Sequence, residues 1–364
     1  MPTIAELPTP ALLLDLDVLE RNLTRMAERA RRLGVALRPH LKTHKCVQVA
    51  ERQRALGARG VTVSTLPEAR VFADHGFDDI TWAFPVILGR LDEARALADR
   101  VTLRFVVDGT EAVEALGRSG YPFHVWLKVD SGYHRAGVDP DAEDAVHLAE
   151  ALARSPHLRF DGILTHSGHA YAARGRAALA AVAEAERRVM ADFADRLRRR
   201  GIEVPAVSVG STPAMSAAES LEGVTEARPG NYALYDYAQT VIGSCGPEDC
   251  AVTVLASVVS SRPGARRSVV DAGALALSKD LGPGNGSPAT FGEILDDDSA
   301  TPLRGDTRVV SLSQEHGVVN APLPLGSRIR IVPNHSCLTV ACFDEFHVVR
   351  GQEVIDRWKI WRVR

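Results

Sequence analysis

Val35-Ala-Leu-Arg38-Pro-His-Leu-Lys42-Thr-His-Lys45 is a short apolar run that breaks into a turn crowded with basic side chains. The run is too short for a helix and reads as a strand, which puts Lys42 at the strand's mouth. Seven more runs of this kind follow, at 61–63, 80–83, 103–107, 123–129, 160–164, 206–209 and 224–227. Segments rich in Ala, Arg, Glu and Leu with helical spacing separate them, at 19–33, 46–56, 66–75, 87–99, 110–116, 142–153 and 174–200. Eight strand–helix alternations predict a (β/α)8 barrel of the TIM type rather than an open doubly wound sheet. Such barrels carry chemistry at the C-terminal ends of their strands.

After about Asp236 the texture changes to β-branched runs broken by Gly and Pro, at 252–259, 268–271, 308–312, 328–332, 338–342 and 347–349. They follow one another without helical stretches, as in an antiparallel β domain. The opening strand, 11–15, precedes the first barrel helix and is expected to cross into that second domain. The expected division is therefore 16–240 for the barrel and 1–15 plus 241–364 for the β domain. The loop Gly282-Pro-Gly-Asn-Gly-Ser-Pro288 reads as a solvated connection rather than a phosphate cradle, because no helical pattern follows to supply a dipole.

Composition narrows the class. A chain of 364 residues with 45% hydrophobic content can bury a sizeable core. Its net charge is −3, from 43 basic and 46 acidic residues, so nothing in it attracts nucleic acid or an anionic membrane. No apolar run approaches the roughly 20 residues that a membrane helix requires, and the start lacks a leader pattern. A cytoplasmic protein is expected. Cys46, Cys245, Cys250, Cys337 and Cys342 are too few and too scattered for a disulfide framework, so reduced thiols are expected.

The strand ends carry the chemistry. Lys42 alone reads as a solvated charge, but Arg38, His40, His44 and Lys45 share its turn, and like charge lowers a lysine pKa toward imine chemistry. Val207-Ser-Val-Gly210-Ser211-Thr212-Pro213 runs from a strand into a small hydroxyl-bearing turn whose N–H groups suit a phosphate. Pro229-Gly230-Asn231-Tyr232 follows the eighth strand and could add donors. Each of these turns reads equally as loop architecture. Leu127-Lys-Val-Asp130-Ser-Gly-Tyr-His134-Arg135 places a guanidinium beyond a buried strand, either facing a pyridine nitrogen or paired with Asp130. His166-Ser-Gly168-His169-Ala-Tyr171 gathers two histidines and a tyrosine in one loop, enough to order a ring or relay a proton. Near the end of the chain, Pro333-Asn-His335-Ser-Cys337 supplies two borderline-soft ligands. On an extended strand these would project to one face, as half of an open zinc shell completed by water and substrate. The other reading is a buried thiol beside an ordinary histidine.

Together with Val63-Ser-Thr-Leu-Pro-Glu-Ala-Arg70, Gly76-Phe-Asp-Asp-Ile80 and Asp271-Ala-Gly-Ala-Leu-Ala-Leu-Ser-Lys-Asp280, these motifs resemble the zinc-dependent D-serine dehydratases. That group stands with the D-threonine aldolases among the alanine-racemase-like, fold-type III pyridoxal phosphate (PLP) enzymes. The resemblance covers almost the whole chain in order. It implies a PLP-binding barrel, a β domain and a homodimer with active sites at the subunit interface. It further implies that Lys42 is the Schiff-base lysine, that Gly210, Ser211, Thr212, Gly230 and Asn231 bind the phosphate, and that Tyr171 is an active-site aromatic. Arg135 would face the cofactor nitrogen, and His335 and Cys337 would bind zinc, with Mn2+ the alternative in an aldolase. The aldolase branch typically carries Asp where Cys337 stands, which favours a dehydratase.

The implied reaction converts a D-β-hydroxy amino acid such as D-serine to a keto acid and ammonia. Lys42 removes the Cα proton, and the metal acts on the β-hydroxyl. Ser131-Gly-Tyr-His134 is bulkier than the resemblance leads one to expect, a departure that alters substrate size, so the natural substrate need not be serine itself; a D-threo-3-hydroxyaspartate dehydratase is an alternative. D-threonine aldolase, a racemase and a non-catalytic PLP carrier are the other readings. The second domain and the His-x-Cys pair argue against the carrier.

Overall fold

The structure, a computed structural model, describes residues 2–282, 290–295 and 303–363. The loop residues 283–288 named above lie outside the described residues. The chain divides into two compact units, one of residues 26–42 and 50–230 with the C-terminal pair, the other of residues 1–25, 43–49 and 231–362.

The first strand, β1 (Ala11–Asp15), belongs to the β unit. The barrel unit holds eight strands: β2 (Ala36–Leu37), β3 (Val61–Val63), β4 (Asp79–Pro85), β5 (Thr102–Val107), β6 (His124–Lys128), β7 (Arg159–Leu164), β8 (Val207–Val209) and β9 (Glu226–Ala227). All neighbouring pairs are parallel, in the order β2-β9-β8-β7-β6-β5-β4-β3. A parallel bridge between His40 and Thr62 links the two ends of that order. Each of the eight apolar runs became a strand. The reason is physical: a parallel strand covered by helices is buried on both faces and reads as a continuous apolar run. The helices follow the expected segments too, the longest being Arg176–Arg199. Helix Leu66–Asp74 opens on a capping box in which Thr65 accepts from the Glu68 N–H and the Glu68 carboxylate returns to the Thr65 N–H.

Ion pairs run from strand to strand across this barrel. Arg38 binds Glu226 of β9 at 2.6 Å and Asp79 of β4 at 2.5 Å. Arg104 of β5 pairs with Asp79 and, at 2.6 Å, with Asp161 of β7, whose other oxygen meets His124 of β6 at 2.8 Å. Gly60 makes room for the Arg38 guanidinium, since a methyl there would overlap it. Replacing such a network by apolar residues can be neutral, but removing one partner from a buried pair costs about 3–5 kcal/mol.

The β unit adds β10 (Val252–Arg262), β11 (Arg267–Val270), β12 (Gly292–Leu295), β13 (Leu303–Leu312), β14 (Gly317–Val319), β15 (Arg328–Val332), β16 (Glu345–Arg350) and β17 (Glu353–Lys359). Its order is β11-β14-β13-β12-β15-β10-β1-β16-β17, and a further β10–β11 pairing closes the first six into a ring. The pairs are antiparallel except β1–β16. The opening strand does cross into this sheet, against β10 and β16. One expectation fails: 338–342 is not a strand, because Ser336–Val340 forms a short helix. Its β-branched residues suggested extension, but the buried Asp236 carboxylate accepts from the Ser336 N–H at 3.0 Å and satisfies a first-turn donor. The strands β12, β14 and β17 were not anticipated.

Candidate active site

Lys42 lies in a single 3₁₀ turn, Leu41–Thr43, just beyond β2, and its backbone N–H donates to His40 Nδ1 at 3.4 Å. The crowding of like charge expected around it is thinned by the fold. Arg38 turns away into the ion pairs with Asp79 and Glu226. Burial opposes its charge, but those carboxylates outweigh burial and push its pKa up. His44 is buried, with Nδ1 accepting from the Cys46 N–H at 3.1 Å.

Beyond β7, His166 Nδ1 lies 3.0 Å from the Gly210 carbonyl oxygen. A carbonyl only accepts, so the proton sits on Nδ1 and Nε2 keeps its lone pair. Burial, reinforced by the charges of Lys42, Arg135 and Lys128, pulls the His166 pKa down to about 3, and the ring is neutral. Lys128, the last residue of β6, was missed in the sequence. It is buried, and burial with the nearby Arg228 and Arg135 lowers its pKa to about 8 against the opposing pull of Asp108 and Asp130. A lysine inside an apolar-polar strand pattern gives no sign of burial, so only the fold reveals it.

Arg135 does not pair with Asp130. The Asp130 carboxylate accepts from the N–H groups of Gly132, Tyr133 and His134 at 3.0–3.1 Å and meets the His134 ring at 2.9 Å. The guanidinium instead lies 5.1 Å from the Tyr133 ring centre, and no carboxylate among the described residues is within ion-pair reach of it. The Tyr133 ring meets His166 edge-on at 6.1 Å and leaves no space for a side chain at Gly168. Tyr171, in the turn Gly168–Ala172, is 40% exposed.

The turn after β8 is tightly built. Gly210 has φ +128, and a Cβ there would come 2.8 Å from the Arg228 backbone nitrogen, so only glycine fits. The Ser211 hydroxyl caps the short helix Thr212–Ala217 and lies 3.2 Å from the Ser167 hydroxyl. Beneath sits Glu186, fully buried on the long helix, accepting from Ser167 N–H at 2.9 Å and Gly210 N–H at 3.3 Å. Burial raises its pKa in spite of these donors. Gly230 closes the barrel unit. Asn231 belongs to the β unit, where its amide donates to Asp236 at 2.7 Å and to the Ser336 hydroxyl at 3.0 Å.

In the β unit, His335 is the N-cap of helix Ser336–Val340, and Cys337 lies in its first turn, so the pair stands at a helix start rather than along a strand. Cys337 stands two residues beyond His335, and its thiol bears on the charge of the ring. His335 Nδ1 meets Asp280 Oδ2 at 2.6 Å, and the Cys337 thiol donates to the Thr43 hydroxyl at 3.3 Å. Burial opposes a charge on His335, but Cys337 and Asp280 prevail and raise its pKa to about 11. No group of three or more His, Cys, Asp or Glu side chains among the described residues is arranged to hold a metal ion.

Family models match both parts of the chain: the alanine racemase N-terminal domain over residues 14–238 and a serine dehydratase domain over 251–349. The chain belongs to the alanine racemase-like serine dehydratase family. Its similarity to D-threo-3-hydroxyaspartate dehydratase of Delftia sp. (strain HT23) is 38% identity, covering 98% of each chain. The solved structure of that enzyme superposes with a TM-score of 0.93, at 37% identity and 100% coverage of both. D-serine dehydratase of Dictyostelium discoideum is 35% identical over 98% of this chain and 97% of its own. D-threonine aldolase of Arthrobacter sp. is 33% identical over 98% and 93%. Other solved structures are a Cys-to-Ala mutant of D-threo-3-hydroxyaspartate dehydratase in the metal-free form and a His-to-Ala mutant, the two changed positions being separated by a single residue. These family members are lyases, and this chain is an enzyme of their group. No helix among the described residues is long and apolar enough to cross a membrane.

Proposed function

We propose that this protein is a PLP- and metal-dependent lyase that converts a D-β-hydroxy amino acid, D-threo-3-hydroxyaspartate or D-serine, to a keto acid and ammonia. The observation that carries the reading is the His335-x-Cys337 pair at the start of one short helix. It repeats the spacing of the histidine and cysteine altered in the hydroxyaspartate dehydratase mutants. The donor set fits a borderline-soft ion such as zinc, held by one imidazole and one thiolate with the remaining positions open. Manganese, a harder ion, suits this thiolate less.

The barrel residues fit the cofactor. Lys42, Lys128 and Arg135 give a cationic surround for an anionic phosphate and carboxylate, and each depresses the His166 pKa. Lys42 would hold PLP, with Gly210, Ser211, Thr212, Gly230 and Asn231 supplying the phosphate turns and Tyr171 an aromatic wall. When bound, PLP supplies an electron sink for negative charge at Cα. The metal supplies Lewis acidity at the β-hydroxyl, a poor leaving group by itself. Lys42, as the free amine, takes the Cα proton. Arg135 has no acceptor atom, so facing the ring nitrogen it can only donate and leaves that nitrogen unprotonated. Neutral His166 offers Nε2 as an acceptor.

Five free cysteines agree with a cytoplasmic enzyme. Leu275, Leu281 and Leu338, all exposed on the β unit, agree with a homodimer that would cover them. Incubating purified protein with D-serine, D-threonine and D-threo-3-hydroxyaspartate, with and without zinc, tests the activity. Keto acid with ammonia is the expected product; glycine with an aldehyde would replace this reading by an aldolase.

A further inference from the structure

Asp280 is remote from the His-x-Cys motif in sequence, yet its carboxylate meets His335 Nδ1 at 2.6 Å. We propose that Asp280 is the positioning residue of the metal centre, fixing the ring orientation and tautomer in which His335 presents Nε2 to the ion. The inference rests on the metal reading above. A carboxylate at Nδ1 accepts that nitrogen's proton, which leaves the lone pair of a neutral, metal-binding imidazole on Nε2.

The main chain that carries Asp280 is itself held. The Asp280 N–H donates to the Ser278 hydroxyl at 3.2 Å, and Ser278 takes up a left-handed φ of +64. Asn334, the residue before His335, donates its amide to the Asp280 carbonyl at 3.0 Å and to the Thr290 carbonyl at 2.5 Å. This gives Asn334 a purpose within Pro333-Asn-His335: it ties the ligand's own segment to the backbone bearing the ligand's partner. The other nearby acid, Asp236, is spent on Asn231, Gln239 and Ser336.

The test measures zinc affinity by competition with a chelator on stripped, PLP-loaded protein. The proteins compared are wild type, Asp280→Ala, Asp280→Asn and His335→Ala, each also checked for thermal midpoint and visible cofactor absorbance. Loss of such a partner weakens metal binding by about 10- to 100-fold, and that loss is expected for Asp280→Ala with absorbance and midpoint unchanged. Asp280→Asn keeps an acceptor without its charge and is expected to fall between Asp280→Ala and wild type. It carries the test if the alanine variant does not fold. Wild-type zinc affinity in either foldable variant, with His335→Ala impaired, overturns the role of Asp280 alone. Equal affinity in wild type and His335→Ala overturns the metal site itself.

Discussion

The Cys337 thiol donates to the hydroxyl of Thr43, the residue that follows Lys42 in the chain. This hydrogen bond lies within the β unit and ties the His335-x-Cys337 motif to segment 43–49. Chelation should suppress keto-acid formation from D-serine or D-threo-3-hydroxyaspartate by orders of magnitude, and added zinc should restore it. On the proposed reading His335 and Cys337 form an open rather than a closed structural site, so metal-free protein is expected to keep its thermal midpoint. Cys337→Ala should mimic the chelator. Cys342→Ala should retain most activity, because that thiol lies past the short helix and donates locally to the Leu338 carbonyl at 3.4 Å. Undiminished turnover by the metal-free protein would sink the mechanism.

Lys42→Ala should abolish covalent cofactor attachment, read as loss of the visible absorbance and of borohydride-fixed label. The alternative site for label is Lys128. Its pKa of about 8 leaves a substantial free-amine fraction near neutral pH. Peptide mapping of the reduced wild-type protein should find the label on Lys42; label on Lys128 would move the assignment there. The lowered pKa also has a sign in stability. The unfolded chain binds the Lys128 proton up to about the ordinary lysine value of 10.5 and the folded chain only up to about 8, so this residue makes stability rise between those pH values. Lys128→Met should flatten that rise in denaturant titrations.

Asp79 bridges two arginines, and although burial opposes its charge, Arg38 and Arg104 hold its pKa below the usual carboxylate value. Its contribution is present above the unfolded pKa of about 3.8 and is lost as pH falls through the lower folded value. Asp79→Asn leaves the Arg38 and Arg104 charges undercompensated and should cost about 3 kcal/mol at neutral pH, by urea unfolding, with less difference from wild type in strong acid. Equal stability at pH 7 would mean that solvent already screens the pair.

The eight barrel strands were legible because burial on both faces leaves a mark in composition. The segment 338–342 was not, since its Leu-Thr-Val texture favours extension, while an acid distant in sequence, Asp236, starts the helix. Arg38 looked like part of the lysine's surroundings because adjacency is all that a sequence displays; its partners, Asp79 and Glu226, come from other strands. Asp280 stood at the end of a quoted motif with no role attached to it, and Glu186 escaped notice altogether, for the same reason. Each acts on loops that only the fold brings to it, and an isolated carboxylate in a sequence carries no trace of burial or partner.

Arg135, Tyr133 and Gly168 make one packed unit, and the last prediction separates their parts. Arg135→Glu places an acceptor where a pure donor stood and should permit protonation of the cofactor nitrogen, seen as a new long-wavelength absorbance during turnover. Arg135→Lys keeps the charge but loses the planar group stacked on Tyr133, so it should raise KM more than it lowers kcat. Gly168→Ala drives a methyl into the Tyr133 ring, which must swing out and release both the guanidinium and the edge-on contact with His166. This variant should therefore resemble Arg135→Lys in its kinetics, while Tyr133→Ala with Gly168→Ala should be no worse than Tyr133→Ala alone, because the overlap is gone. Spectra and rates of Arg135→Glu that match wild type would make Arg135 a surface residue and remove it from the site.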